Sequence, residues 1–134
     1  MNSSSPGQGY LAERRQYRRF LVEVGSFFVK HPKTEQAWGH LIDISQYGLS
    51  FVYFSESVKE ITAAETIDIV RPNREICVEA LHYRNVTDFE VENGYPSFNS
   101  QRRRRGVELI RLTHHQLRNL VKLIQDECTG APFR

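Results

Sequence analysis

Hydrophobic residues recur at every second position through the middle of the chain, and that period limits most sharply what it can fold into. Phe20, Val22 and Val24 alternate with Leu21, Glu23 and Gly25, and after a turn at residues 32–36 a second candidate strand covers residues 38–44. Leu49, Phe51 and Tyr53 alternate with Ser50, Val52 and Phe54, and Ile67 and Ile69 flank Asp68. Ile76, Val78 and Ala80 then alternate with Cys77, Glu79 and Leu81, Phe89 and Val91 sit between Asp88, Glu90 and Glu92, and Val107 and Leu109 flank Glu108. Pro, Gly and Asn turns join these six or seven segments and no helical crossover separates them, so they specify an antiparallel barrel or sandwich. Residues 93–101, with Gly94, Pro96, Ser97, Asn99 and Ser100, read as a loop projecting from the last hairpin.

The pattern changes once, at the C-terminus. Thr113 and Gln116 have the spacing of a capping box, with Leu112 and Leu117 placed as its hydrophobic staple. Leu117, Leu120, Val121, Ile124 and Cys128 follow at spacings of three and four, and Gly130 is placed to stop the helix. One apolar stripe of this kind must pack on something. The open end or flank of the β structure is the available surface, so the fold class is all-β with a C-terminal helix acting as a structural lid.

At 134 residues the chain fits one domain, large enough for a core that needs no staples. Residues 1–10 carry no charged side chain and are rich in Ser and Gly, which reads as a flexible lead. The expected division is a lead at 1–12, a single domain at 13–127 and a short tail at 128–134. No cationic leader with an apolar core and no uninterrupted apolar run of spanning length occurs, which predicts a soluble, cytoplasmic protein without membrane insertion. Cys77 and Cys128 lack paired spacing and read as buried small hydrophobes in a reducing compartment. Trp38 reads as core or barrel surface.

His31, His40, His82, His114 and His115 show no metal-ligand spacing. There is no Gly-x-Ser-x-Gly elbow, phosphate-loop lysine or carboxylate pair with a partner base, so hydrolysis and phosphoryl transfer lack a site and the chain is read as a non-enzyme.

The net charge of +2 conceals an uneven distribution. Arg14, Arg15, Arg18 and Arg19 form one cluster and Arg102, Arg103, Arg104 and Arg105 another, which leaves ten basic residues against all 16 acidic ones, a net of −6 for the rest of the chain. A mildly acidic body with two arginine clusters suits a compact anion held at one place better than a nucleic acid spread over a face. Arg15 and Arg19 stand four apart just before a strand, so a turning arm can direct both guanidinia at one anion while Phe20 anchors the chain in the core. Arg18 falls outside that pair and is expected to face solvent. Downstream, Asp43-x-Ser45-x-x-Gly48 is a polar turn, with Gly48 at a place where a tight connection asks for positive φ. Guanidinium forks pair with phosphate oxygens and with the O6/N7 edge of guanine, and an Asp/Ser pair can take the donors and acceptors left on the base.

Arg15-x-x-x-Arg19 and Asp43-x-Ser45-x-x-Gly48, in that order and at that separation, resemble the two motifs of the PilZ domain family, bacterial receptors for the second messenger cyclic di-GMP. Gly106-Val107-Glu108-Leu109 looks like the family's late strand, and the likeness runs from about residue 13 to 127. The resemblance implies a six- to seven-stranded antiparallel β-barrel that binds the dinucleotide on its outer surface. Arg15 and Arg19 would hold phosphate and guanine, Asp43 and Ser45 would meet a guanine edge, and Gly48 would let the backbone come close. Arg14, just before the first motif arginine, looks like the variant that accepts two stacked ligand molecules. The implied function is a receptor that signals through its arm to a protein partner in motility, exopolysaccharide or pilus machinery. The alternative within the same fold is a ligand-independent adaptor. The family pattern assigns nothing to residues 102–105, which read foremost as a solubilising hairpin.

Overall fold

The computed structural model describes residues 18–34, 36–91 and 102–127. Arg14, Arg15, Cys128, Gly130 and the expected loop at 93–101 lie outside the described residues.

Seven strands form one antiparallel sheet: β1 (Phe20–Leu21), β2 (Phe28–Lys30), β3 (Ala37–Ile44), β4 (Gly48–Phe54), β5 (Thr66–Val70), β6 (Ile76–Val91) and β7 (Arg102–Ile110). Their order is β1-β3-β2-β5-β6-β7-β4, and β4 pairs back onto β3. That last pairing closes six strands into a barrel and leaves β1 outside the ring. Between barrel and sandwich, the closed ring decides for the barrel. Closure also removes the free edges that an open sheet would expose.

Alternation explains the core. Leu49, Phe51 and Tyr53 of β4, Val107 and Leu109 of β7, and Val78, Leu81 and Tyr83 of β6 all belong to one buried cluster. Trp38 joins them, with its Nε1 donating to Glu60 at 3.0 Å. Cys77 is half-buried beside the cluster rather than inside it.

Three elements differ from the sequence expectation. The first strand stops at Leu21, because a turn places Gly25 at φ 85 and leaves Val24 71% exposed. The chain then rejoins the same edge of β3 as β2. The segments expected at 76–81 and 89–91 are one long strand, β6, held along its far half by pairing with β7 rather than by apolar alternation. Between β4 and β5 lies a helix that no periodicity announces, α1 (Val58–Ala63), which inserts Ile61 into the core while its carbonyl accepts from Tyr83 Oη at 2.7 Å.

The C-terminal helix α2 (His114–Glu127) starts as the capping box demands. Thr113 N–H donates to Gln116 Oε1 at 3.0 Å, and Gln116 N–H donates to Thr113 Oγ1 at 3.0 Å. Gln116 also donates from Nε2 to the carbonyls of Glu79 and Ala80, which docks the helix on β6. Ala80 has φ 55 and its N–H is taken by the buried Asp68 carboxylate at 2.8 Å, so the two carbonyls sit where the β5–β6 register shifts. The buried residues of the stripe are Leu120, Leu123 and Ile124; Leu117 and Val121 are half-buried, so the packed face is rotated toward Leu123. No helix among the described residues is long and apolar enough to cross a membrane.

Candidate functional site

β1 is only two residues long, yet it fixes the start of the site. Phe20 pairs with Ile44 and Leu21 with Asp43, so Arg19 is delivered to the end of β3. Phe20 is half-buried against the core, the anchoring expected of it, and Arg18 faces solvent.

Asp43 stands in a row of residues on the outer side of the barrel, opposite Ser50 of β4, which is itself opposite Gly106 of β7. An outward carboxylate should be wet, but Asp43 is only 1% exposed. Two arginines cover it. Arg19 Nη1 donates to Oδ1 at 3.3 Å and Arg104 Nη2 donates to Oδ2 at 2.9 Å, with Arg104 Nη2 also reaching Ser50 Oγ at 3.1 Å. Held between two guanidinia, the carboxylate fixes both arginines in place.

Ser45 closes the turn. Its Oγ accepts from the N–H groups of Tyr47 at 3.2 Å and Gly48 at 3.1 Å, while its own N–H donates to Gly48 O at 2.8 Å. Gly48 corrects one expectation: its backbone does not lie in the positive-φ region. Glycine is required there by space, since a Cβ would lie 2.8 Å from the carbonyl oxygen of Val107 on β7. The close approach of β4 to β7 therefore passes through Gly48.

Arg19, Arg104, Ser50 and Gly106 line an open cleft of about 250 Å³, walled on its far side by Val86 and Phe89 of β6. The structure thus brings Arg19, Asp43, Ser45 and Gly48 to one corner of the barrel and adds Arg104, Phe89 and Val86 to it.

The reading of residues 102–105 as a solubilising run is corrected. β7 places Arg104 on the outer face, whereas Arg105 is 3% exposed and points into the barrel. Arg105 donates to Asp88 at 2.8 Å, Asn85 at 2.8 Å and Tyr53 Oη at 3.3 Å, and its guanidinium lies 5.3 Å from the Tyr53 ring centre. Arg103 joins the same Asp88 at 2.9 Å. Burial pushes the Asp88 carboxyl up, but Tyr53, Arg103 and Arg105 together outweigh it and hold it below its ordinary value. Strand parity was the available signal: with Val107 and Leu109 inward, Arg105 is inward and Arg104 outward.

The closed six-stranded barrel with an outer strand and a C-terminal helix has a PilZ-like fold. It is similar to MrkH, a c-di-GMP-dependent transcription regulatory factor, with TM-score 0.62 and 13% identity over 88% of this chain and 52% of that one. It is also similar to the PilZ domain of YcgR from Escherichia coli, solved with c-di-GMP, with TM-score 0.56 and 11% identity over 85% of this chain and 91% of that one. The chain spans about half the length of MrkH. No protein-family model and no curated protein matches the sequence.

Proposed function

We propose that the chain is a non-catalytic receptor for cyclic di-GMP. Arg14, Arg15 and Arg19 of the N-terminal arm and the Asp43, Ser45, Gly48 turn form its binding site, and a conformational change carries the signal to a protein partner. The observation that supports this reading best is the placement of Arg19 beside Asp43 on the wall of an open cleft, in a fold similar to a PilZ domain solved with c-di-GMP. The ligand has two phosphates and two flat purines. Its binder therefore needs several guanidinia and an open surface, and both are present at this corner. A second arginine before the motif pair, Arg14, favours two stacked ligand molecules per chain.

Isothermal titration with cyclic di-GMP tests the proposal and reads stoichiometry directly. Micromolar binding is expected, with Arg15→Ala weakening it by roughly 1.5 to 3 kcal/mol, about ten- to a hundredfold. No heat at micromolar ligand, or an unchanged affinity in the variant, would remove it.

One observation favours the ligand-independent adaptor: both oxygens of Asp43 are already satisfied within the protein. Thermal melts separate the two readings. A ligand at a hundred times its Kd adds about 2.7 kcal/mol of stability, and an adaptor shows no shift.

A further inference from the structure

The far wall of the cleft belongs to neither the arm nor the turn. Phe89 on β6 lies directly opposite Arg104 on β7, so the two side chains leave the sheet on the same face, roughly 5 Å apart at Cβ. Phe89 is 51% exposed, a large aromatic face left open at the rim of the cleft. Its direction is fixed. Asp88 is pinned by Tyr53 and by Arg103 and Arg105, and because successive side chains on a strand alternate, Phe89 is held outward.

Val86, the extra residue where the β6–β7 register shifts, is 45% exposed and extends that wall. The floor between wall and arginines is Ser50 and Gly106, which add little bulk. Arg104 is bound only through Nη2 among the described residues, to Asp43 and Ser50, while its side chain is 34% exposed. Its Nη1 and Nε are left to donate.

We infer that the β6–β7 hairpin is a rigid second half of the nucleotide site: Phe89 is the face on which one guanine stacks, and Arg104 meets the ligand through its Nη1 and Nε donors while Asp43 and Ser50 keep Nη2. This rests on the receptor reading and deepens it by dividing the ligand between two supports. A cleft of about 250 Å³ is smaller than a cyclic dinucleotide requires, so part of the ligand lies outside it. Sheet-borne groups order no chain when the ligand arrives. The half-site on β6 and β7 is therefore pre-organised.

The test is titration of the intact chain with cyclic di-GMP, comparing wild type with F89A, F89L, F89W, R104A and R104K. F89A and F89L are expected to weaken binding about tenfold, because a stacked base loses its aromatic face in both. F89W keeps the affinity, and its indole emission is quenched as ligand is added. R104A weakens binding at least as much as F89L, and R104K recovers only part because a lysine has no planar fork. Phe89 is half open, so its variants fold, and R104K keeps the charge that Asp43 needs. Wild-type binding with F89A and F89L unchanged overturns the inference and leaves the receptor reading standing. No binding by wild type removes both.

Discussion

Two groups of side chains in this barrel have the same composition, arginine–aspartate–arginine, and opposite characters. In the outer group Asp43 holds Arg19 and Arg104, whose side chains remain 37% and 34% exposed. In the inner group Asp88 holds Arg103 and Arg105, and the Arg105 side chain is 4% exposed. The open group exposes guanidinium donors to a cleft; in the closed group the Arg105 guanidinium is engaged by Tyr53, Asn85 and Thr62 as well as by Asp88. Consecutive residues of one strand, Arg104 and Arg105, fall on opposite sides of the sheet and into opposite roles. Charge alone does not mark a binding site. Charge with unengaged donors beside a cavity does.

If that division holds, the largest effect on stability comes from the inner group. Arg105→Ala takes from Asp88 its buried arginine partner at 2.8 Å and from the Tyr53 hydroxyl one of its two partners, and is expected to cost about 3 kcal/mol, the lower end for breaking a buried pair because Asp88 is 25% exposed. Urea denaturation measures it, and cyclic di-GMP affinity at low temperature should change less than about threefold. Stability unchanged and binding lost would reverse the two roles.

Asp43→Asn sharpens the contrast from the other side. Its loss should be about 1.5 kcal/mol, smaller than for Arg105, since the two guanidinia are each about a third exposed and rehydrate once released. Binding should fall by about tenfold, because Arg19 and Arg104 lose the anchor that aims them. A stability loss as large as that of Arg105→Ala, with affinity untouched, would make the outer group structural as well.

The two groups also differed in how far they could be read from the chain. Residues that obey a local period were legible: Val107 and Leu109 fixed the parity of β7, and Thr113 with Gln116 fixed the start of α2. Asp43, Ser45 and Gly48 were legible as a turn, although the requirement at Gly48 is the nearness of the Val107 carbonyl, a contact between residues far apart in sequence. The partnership of Arg104 with Asp43 spans 61 positions and depends on which strands become neighbours when the barrel closes. Four consecutive arginines look alike until that register is known. β2 was missed because three residues carry too little periodicity, and the continuity of β6 because residues 82–88 show no apolar alternation between its two legible segments.

The smallest effect tests the inner group by acid. The Asp88 carboxyl is held below its ordinary value of 3.8, so between its folded value and 3.8 the unfolded chain binds the proton more readily. Its contribution is therefore complete above the ordinary value and is lost as pH falls through the lower folded one. Arg103→Gln removes one of the groups that hold it down, leaving Arg105 and Tyr53 in place. The variant should be slightly less stable than wild type at pH 7, by less than either substitution above. The gap should close as the pH falls through the lowered folded value of wild type, below which Asp88 is protonated in both proteins. Urea melts at a series of pH values from neutral to acid follow the gap. A gap that stays constant into acid would mean that Arg103 acts through packing, and the inner group would then be a single buried pair between Arg105 and Asp88.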